Sequence, residues 1–336
     1  MRIESFQSPD VFASLKPEWN ELLRRSTSDT LVLTWEFQST WWFHFGAGLE
    51  LRVLTARCDD GRLLGIAPLY VDRDQSGLAN MRLIGGVEVA DYLDFIVTPE
   101  HARESVEAFF TALCSAGDWH MLDLRNIPAA SPTREILSAA AASSQLPFAS
   151  RVEEVCPLIT LGASFEAYLE SLDKKQRHEI RRKTRKAYDE AEIRWHCVDG
   201  THNLDEAVEQ FIELHQRSKA GKDEFMTAAM VDFFHALARV TYEAGWLELA
   251  FIAVNGRQAA TYFNFVYNSA TLCYNSGYDP QAYAALSPGI VLLSHLIEHA
   301  ITHGRKVFDF LQGSETYKYR MGAKDTQVYQ LTVERD

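Results

Sequence analysis

The chain has 336 residues, 47% of them hydrophobic and 24% charged, a globular make-up long enough for two domains. Its formal net charge of −13 argues against a duplex-DNA binder, which would present a basic face. Five scattered cysteines, Cys58, Cys114, Cys156, Cys197 and Cys273, form no CxxC pair, which argues against a disulfide framework or zinc knuckle and fits a reduced cytosolic protein.

The first residues, Met1-Arg2-Ile3-Glu4-Ser5, lack the apolar core of a signal peptide. Residues 9–25 predict an amphipathic helix, with Phe12, Leu15, Trp19, Leu22 and Leu23 at helical spacing. A second helix is expected over 33–46, LTWEFQSTWWFHFG. Its three tryptophans and three phenylalanines suit core packing, or the wall of a pocket for an acyl chain. A hairpin follows over 50–71, turning at Asp59-Asp60-Gly61-Arg62. Strands are expected at 81–85 and 92–97, a helix at 100–115, a strand at 119–124, an Ala-rich helix at 132–144 and an extended segment through 161.

A second pass begins there. Phe165, Leu169, Leu172, Ile180 and Ala187 mark one long helix, and further helices are expected at 204–219 and 228–244. The segment WLELAFIAVNGRQAATYFNFVY (246–267) predicts a hairpin around Asn255-Gly256. Like ELRVLTARCDDGRLLGIAPLYV it has an alternating strand, a Gly-Arg turn and a return strand with a tyrosine at its end. Such self-similarity predicts two copies of one α/β (mixed α+β) fold, divided as 1–155 and 156–336. The last stretch, 271–322, reads as strand, loop, helix opening at Ser287-Pro288-Gly289, strand over Lys306–Leu311, and polar turn. A helix start beside a strand end favours an anion, because its first N–H groups lack internal partners. The longest apolar run near that helix, Gly289–Leu293, is too short to span a bilayer.

TWEFQSTWWFHFG, GRLLGIAPL, DYLDFIV, KKQRHEIRRKTRKA, YNSGYD, SPGIVLL and FDFLQGSETYKYRMGA are spread over nearly the whole chain. Together they resemble the tandem GNAT acyltransferases of the CelD/BcsL-like type, relatives of the FemABX peptidyltransferases. The resemblance implies two GNAT-like domains, each a twisted mixed sheet flanked by helices. It further implies an acyl-CoA donor lying between splayed parallel strands at 271–279 and 306–311, with Ser287, Gly289, Tyr278 and Lys318 as donor contacts. The usual Gly-rich phosphate loop is missing; only Ser287-Pro288-Gly289 marks the turn.

Acyl transfer to an amine needs a base for the attacking nitrogen and a donor for the leaving thiolate. Candidate carboxylates are Glu315, Asp309 and Asp279, and Tyr278, Tyr317 and Tyr319 are candidate proton donors. Asp309 reads equally as a strand residue satisfied by its neighbours. In the first copy Asp91 and Asp94 are candidates for the acceptor side or plain strand-end residues, with His44 and Arg125 behind them.

His295-Leu296-Ile297-Glu298-His299 matches a zinc-protease spacing, but no third ligand is evident. A solvated helix face is the expectation, and no metal is assigned. The basic segment Lys174–Lys186 is open to three readings: a solvated helix face, a peripheral contact with anionic membrane at its inner face, or a contact to a phosphorylated donor.

The expected activity is N-acyl transfer from acyl-CoA to an amine, such as a sphingoid base or an envelope amino sugar. FemABX-like transfer of an aminoacyl group from tRNA to a peptidoglycan precursor and a non-catalytic envelope-assembly role are the alternatives.

Overall fold

The computed structural model describes residues 1–218 and 222–335. They fall into two units, Met1–Val155 with Gln327–Asp336, and Cys156–Thr326.

In the first unit, β1 (Arg2–Phe6) precedes α1 (Asp10–Leu23) and α2 (Trp35–Phe45). The hairpin β2 (Glu50–Arg57) and β3 (Leu63–Arg73) is followed by β4 (Ala79–Leu83), β5 (Ile96–Val97), α3 (Ala102–Ala116), β6 (Met121–Pro128), α4 (Thr133–Ser143) and the start of β7 (Phe148–Thr160). α1 buries its expected stripe, and the Trp19 indole N–H donates to the Leu33 carbonyl at 2.9 Å. α2 is capped by Thr34, whose hydroxyl accepts from the Phe37 amide, satisfying an otherwise orphaned N–H. Phe37, Trp41 and Trp42 go into the core, whereas Phe43 stays 67% exposed.

The second unit continues with α5 (Phe165–Ser171), α6 (Lys174–Glu190), β8 (Ile193–Cys197), α7 (Leu204–Arg217), α8 (Lys222–Phe225), α9 (Ala228–Glu243), β9 (Leu247–Val254), β10 (Arg257–Tyr267) and β11 (Ala270–Tyr278). Then come α10 (Pro288–Thr302), β12 (Val307–Asp309), α11 (Thr316–Arg320) and β13 (Lys324–Glu334). Residue 219, at the expected end of α7, lies outside the described residues.

Both units repeat one strand plan. In the first, strands run β1-β2-β3-β4-β6-β13 with β5 beside β3; in the second, β7-β12-β11-β10-β9-β8. A hairpin (β2–β3, β9–β10) is extended by an antiparallel strand (β4, β11). A helix (α3, α10) then leads to a strand parallel to that one (β6, β12). The reading from sequence carried the second domain to residue 336. The last strand instead pairs with β6, Val328 opposite Pro128 through Glu334 opposite Met121, and so completes the first unit.

The expected long helix at 165–187 is two. Asp173 interrupts it, with extended backbone and a carboxylate that accepts from the Gln176 amide at 2.9 Å, a cap that starts α6 afresh. Segments expected as a polar turn hold α11, and β12 is shorter than its expected range.

Alternation along β10 builds the second unit's two helical layers. Phe263 meets Phe211 of α7 at 5.1 Å and Phe234 of α9 at 5.4 Å between ring centroids. Its neighbour Tyr262 points to the other face, where its hydroxyl donates to the Gly289 carbonyl of α10 at 3.3 Å. On the α7 side Gly277 lets the backbones touch, since a Cβ there would lie 2.4 Å from the His215 nitrogen. The segment Ala284–Thr302 is long and apolar enough to cross a membrane, contrary to the expectation from its apolar runs. In this fold α10 buries Val291, Leu292, Leu293, Leu296 and Ile297 in the unit's core.

Candidate active site

β11 and β12 are parallel neighbours over three pairs, Ala270 with Val307, Thr271 with Phe308 and Leu272 with Asp309. β12 stops there while β11 runs on to Tyr278, paired on its other side with β10. The strands therefore part after Leu272, and among the described residues β11 has no further strand partner on its β12 side. Pro288 at the head of α10 has no N–H, and Ser287 before it takes left-handed backbone at φ 52° with no side-chain cap. A side chain added at Gly289 would meet open space. Tyr278 is on the α10 face, because Tyr262 pairs with Ser276 and Tyr278 follows two residues on. It is 43% exposed.

The loop after β12 is held by a buried ammonium. Lys318 is 3% exposed, and its Nζ donates to the carbonyls of Gln312 at 2.6 Å, Gly313 at 3.0 Å and Leu311 at 3.3 Å. Glu315 completes its shell at 2.9 Å. Asp309 is also buried and accepts from the Leu311 amide at 2.8 Å, next to the positive φ of 55° at Leu311. The structure thus brings Asp309, Glu315 and Lys318 together, but as the frame of a loop. Three ammonium protons facing three carbonyls and a carboxylate leave Lys318 none for a donor phosphate, which corrects its expected role. Asp279 serves its own turn, accepting from the Gln281 and Ala282 amides, each at 3.0 Å. Those backbone bonds, helped by Arg257, hold its carboxyl below the usual range.

A cavity of about 230 Å³ opens between α6, the first turn of α10 and α11. Its walls include Lys175, Lys183, Ile290, Tyr317 and Arg320. The Tyr317 hydroxyl makes no hydrogen bond among the described residues, and burial pushes its phenol far above the ordinary value. Sequence reasoning named Tyr317 only in passing and missed Arg320; the signal for both is the TYKYR segment itself. Elsewhere on α6, Arg182 pairs with Glu179 at 2.7 Å, Arg181 with Glu166, and Lys186 donates to the Ala285 carbonyl at 3.1 Å. Arg181, Arg182 and Lys186 are therefore engaged by internal partners, while Lys175 and Lys183 line this cavity.

The histidines of the HLIEH run are not a solvated face. His295 stacks on Trp195 of β8 at 5.3 Å and meets the Tyr188 hydroxyl at 3.1 Å, because α6 and β8 cover that side of α10. Burial lowers the affinity of His295 and His299 for protons. Among the described residues no group of three or more His, Cys, Asp or Glu is placed to hold a metal ion. Burial raises the Glu248 carboxyl to about 7, opposed by the 3.4 Å contact from Asn264 and by the charges of Arg305 and His303. A folded-state value above the unfolded one gives stability that is full below about 4.5 and lost as pH rises through about 7. Glu248→Gln removes that loss. Chemical denaturation is expected to find the variant more stable than the wild type at pH 8, by on the order of 3 kcal/mol, with the gap closing toward pH 5.

In the first unit Asp94 is fully buried and accepts from Ser28 at 2.5 Å, Thr133 at 2.6 Å and the Phe95 amide at 2.8 Å. Desolvation raises its carboxyl, and the hydroxyls satisfy it. It knits three segments together and faces no solvent, which corrects its expected acceptor-side role. Asp91 is half-buried in the loop before it. His44 bonds the Thr40 carbonyl one turn back at 2.8 Å, and Arg125 pairs with Glu153.

Compared with known families, residues 174–319 match the model described as an acetyltransferase (GNAT) domain. No curated protein matches the sequence. Among solved structures, FemX superposes with a TM-score of 0.68 at 10% identity, covering 98% of this chain and 96% of that one. L-PGS from Bacillus licheniformis gives 0.58 at 10% identity, covering 98% and 93%. A tandem GNAT protein from the clavulanic acid biosynthesis pathway gives 0.51 at 12% identity, covering 100% and 99%. At these identities the likeness is one of fold, and that fold is the tandem GNAT arrangement.

Proposed function

We propose that this chain, a tandem GNAT-fold protein of the FemABX-like kind with its GNAT domain at residues 174–319, is an N-acyltransferase that uses an acyl-CoA donor. The observation that carries this reading is the parting of β11 from β12 beside the uncapped start of α10, with the Tyr317 side chain on the adjoining cavity wall. Past Leu272, where pairing with β12 ends, the β12 side of β11 would offer backbone groups to an extended amide-bearing chain and to a thioester carbonyl. At the start of α10 the Ser287, Ile290 and Val291 amides already donate to the Ala284 and Ser287 carbonyls and Pro288 has no N–H, so among the described residues the Gly289 N–H is the one left for a pyrophosphate oxygen.

In the reaction a neutral amine attacks the thioester carbon, a C–N bond forms and the C–S bond breaks. Tyr317 gives its phenolic proton to the departing thiolate, and water returns one to the phenolate. The amine's own proton leaves to solvent or to a carboxylate at the mouth, for which Glu315, 58% exposed in its side chain, is placed. The acceptor is an amine of a lipid, such as a sphingoid base, or of an envelope sugar. A lipid acceptor would put the protein at the inner face of a membrane.

A second reading, transfer of an aminoacyl group from tRNA to a peptidoglycan precursor, is favoured by one observation: the fold likeness to FemX, at 0.68, exceeds that to the tandem GNAT protein, at 0.51. The net charge of −13 counts against a nucleic-acid donor. Thermal unfolding with acetyl-, hexanoyl- and palmitoyl-CoA decides between them. A ligand at about 100 times its Kd adds roughly 2.7 kcal/mol of stability. A higher Tm with at least one thioester supports the donor; no shift with any of them, against a shift with aminoacyl-tRNA, favours the second reading.

A further inference from the structure

The missing glycine-rich loop has a replacement in the side chains of the cavity between α6, α10 and α11. We propose that Lys175, Lys183 and Arg320 form a phosphate clamp that binds a diphosphate group of the donor, doing with cationic side chains what a glycine-rich loop does with backbone N–H groups. The clamp deepens the acyl-CoA reading and rests on it for the identity of the donor.

Four observations lead here. The three cations come from two elements and converge on one cavity, with Ile290 of the first turn of α10 in the same wall. Lys175 and Arg320 have no carboxylate within ion-pair distance among the described residues, and Lys183 reaches Glu179 only at 3.7 Å. In a chain of net charge −13, cations left unpaired around a concavity make a local positive potential that attracts an anion. Finally, the segment before α10 is tied to α6: Lys186 donates to the Ala285 carbonyl at 3.1 Å, and Tyr283 and Ser287 both sit in left-handed backbone. Arg320 offers a planar fork for two phosphate oxygens, while the two lysines act as point charges. A cavity of about 230 Å³ accommodates a diphosphate. Glu179, which also lines the cavity, sets an upper limit on affinity by repelling the ligand.

The test is calorimetric titration of the full chain at low salt with inorganic pyrophosphate, CoA and phosphate-free pantetheine, alongside vesicles containing phosphatidic acid. Lys175→Gln, Lys183→Gln and Arg320→Gln are each expected to weaken pyrophosphate and CoA by about 10-fold, a charge-assisted contact apiece, and to leave pantetheine unchanged. Glu179→Gln is expected to tighten both phosphate ligands, an effect that a purely structural role would not produce. Pyrophosphate and CoA that fail to bind, or that bind all four variants like the wild type, overturn the clamp. So does a response to the vesicles alone, which would assign the cations to a lipid headgroup. Pyrophosphate binding is read without turnover. A chain that holds it through these residues yet releases no thiol from any thioester sinks the acyl-transfer reading and keeps the clamp.

Discussion

Lys318→Met is expected to lower the stability of the second unit by about 3 kcal/mol, a drop in Tm of roughly 6–12 °C. Methionine matches the stem of the lysine but carries no donor. The carbonyls of Leu311, Gln312 and Gly313 would then face one another with no partner, and Glu315 would lose its cation. Each carbonyl turned from the ammonium must find water or stay unsatisfied, and the turn at Leu311, already in left-handed backbone, is left to the bond from its amide to Asp309. Loss of turnover should accompany the loss of stability, since α11 and Tyr317 hang from this loop. Differential scanning calorimetry and the acyl-transfer rate read the two together. A variant of wild-type Tm whose only defect is a raised KM for the donor would mean that Lys318 contacts phosphate directly, as its motif first suggested.

Tyr317→Phe is expected to lower kcat by about 100-fold while KM for the donor stays within a factor of two. The hydroxyl makes no hydrogen bond to the described residues, so its removal breaks no internal bond and the Tm should hold. Burial raises the phenol far above its ordinary value, which keeps the proton on Tyr317 throughout the neutral range, so the group does not serve as a base there. The wild-type rate should therefore show no alkaline loss from this group below pH 10. Stopped-flow detection of released thiol measures both. An unchanged kcat in the variant would pass the proton-donor role to Tyr278 at the end of β11.

Much of the scaffold was legible because it is written in local chemistry. Period-two alternation around Asp59-Asp60-Gly61 and Asn255-Gly256 marks both hairpins, and their likeness gives away the duplication. The strand–loop–helix at 271–302 was legible for the same reason. The break between α5 and α6 was not, since an aspartate fits a helix surface as well as a cap, and only the backbone at Asp173 decides. Nor could local pattern assign the last strand to the first unit, because pairing of β13 with β6 is a contact between distant segments.

The site divides along the same line. Asp309, Glu315 and Lys318 were found as a group, but their roles turn on three carbonyls that converge only once the chain bends at Leu311. Asp94 looked like a strand-end carboxylate until Ser28 and Thr133, brought from remote segments, closed over it. The basic run on α6 was visible; the cavity that receives Lys175 and Lys183 depends on Arg320 and Ile290.

The central claim is that the parted strands, the start of α10 and Tyr317 together cleave a thioester in favour of an amine. It is tested most directly by incubating the wild-type chain with acyl-CoAs of two to sixteen carbons and a panel of sphingoid bases and amino sugars, and measuring free thiol and amide product in the same sample. The account predicts equal amounts of the two with at least one pair, and their joint loss in Tyr317→Phe. Thiol without amide in every pair, or amide formed equally well by the variant, would contradict it.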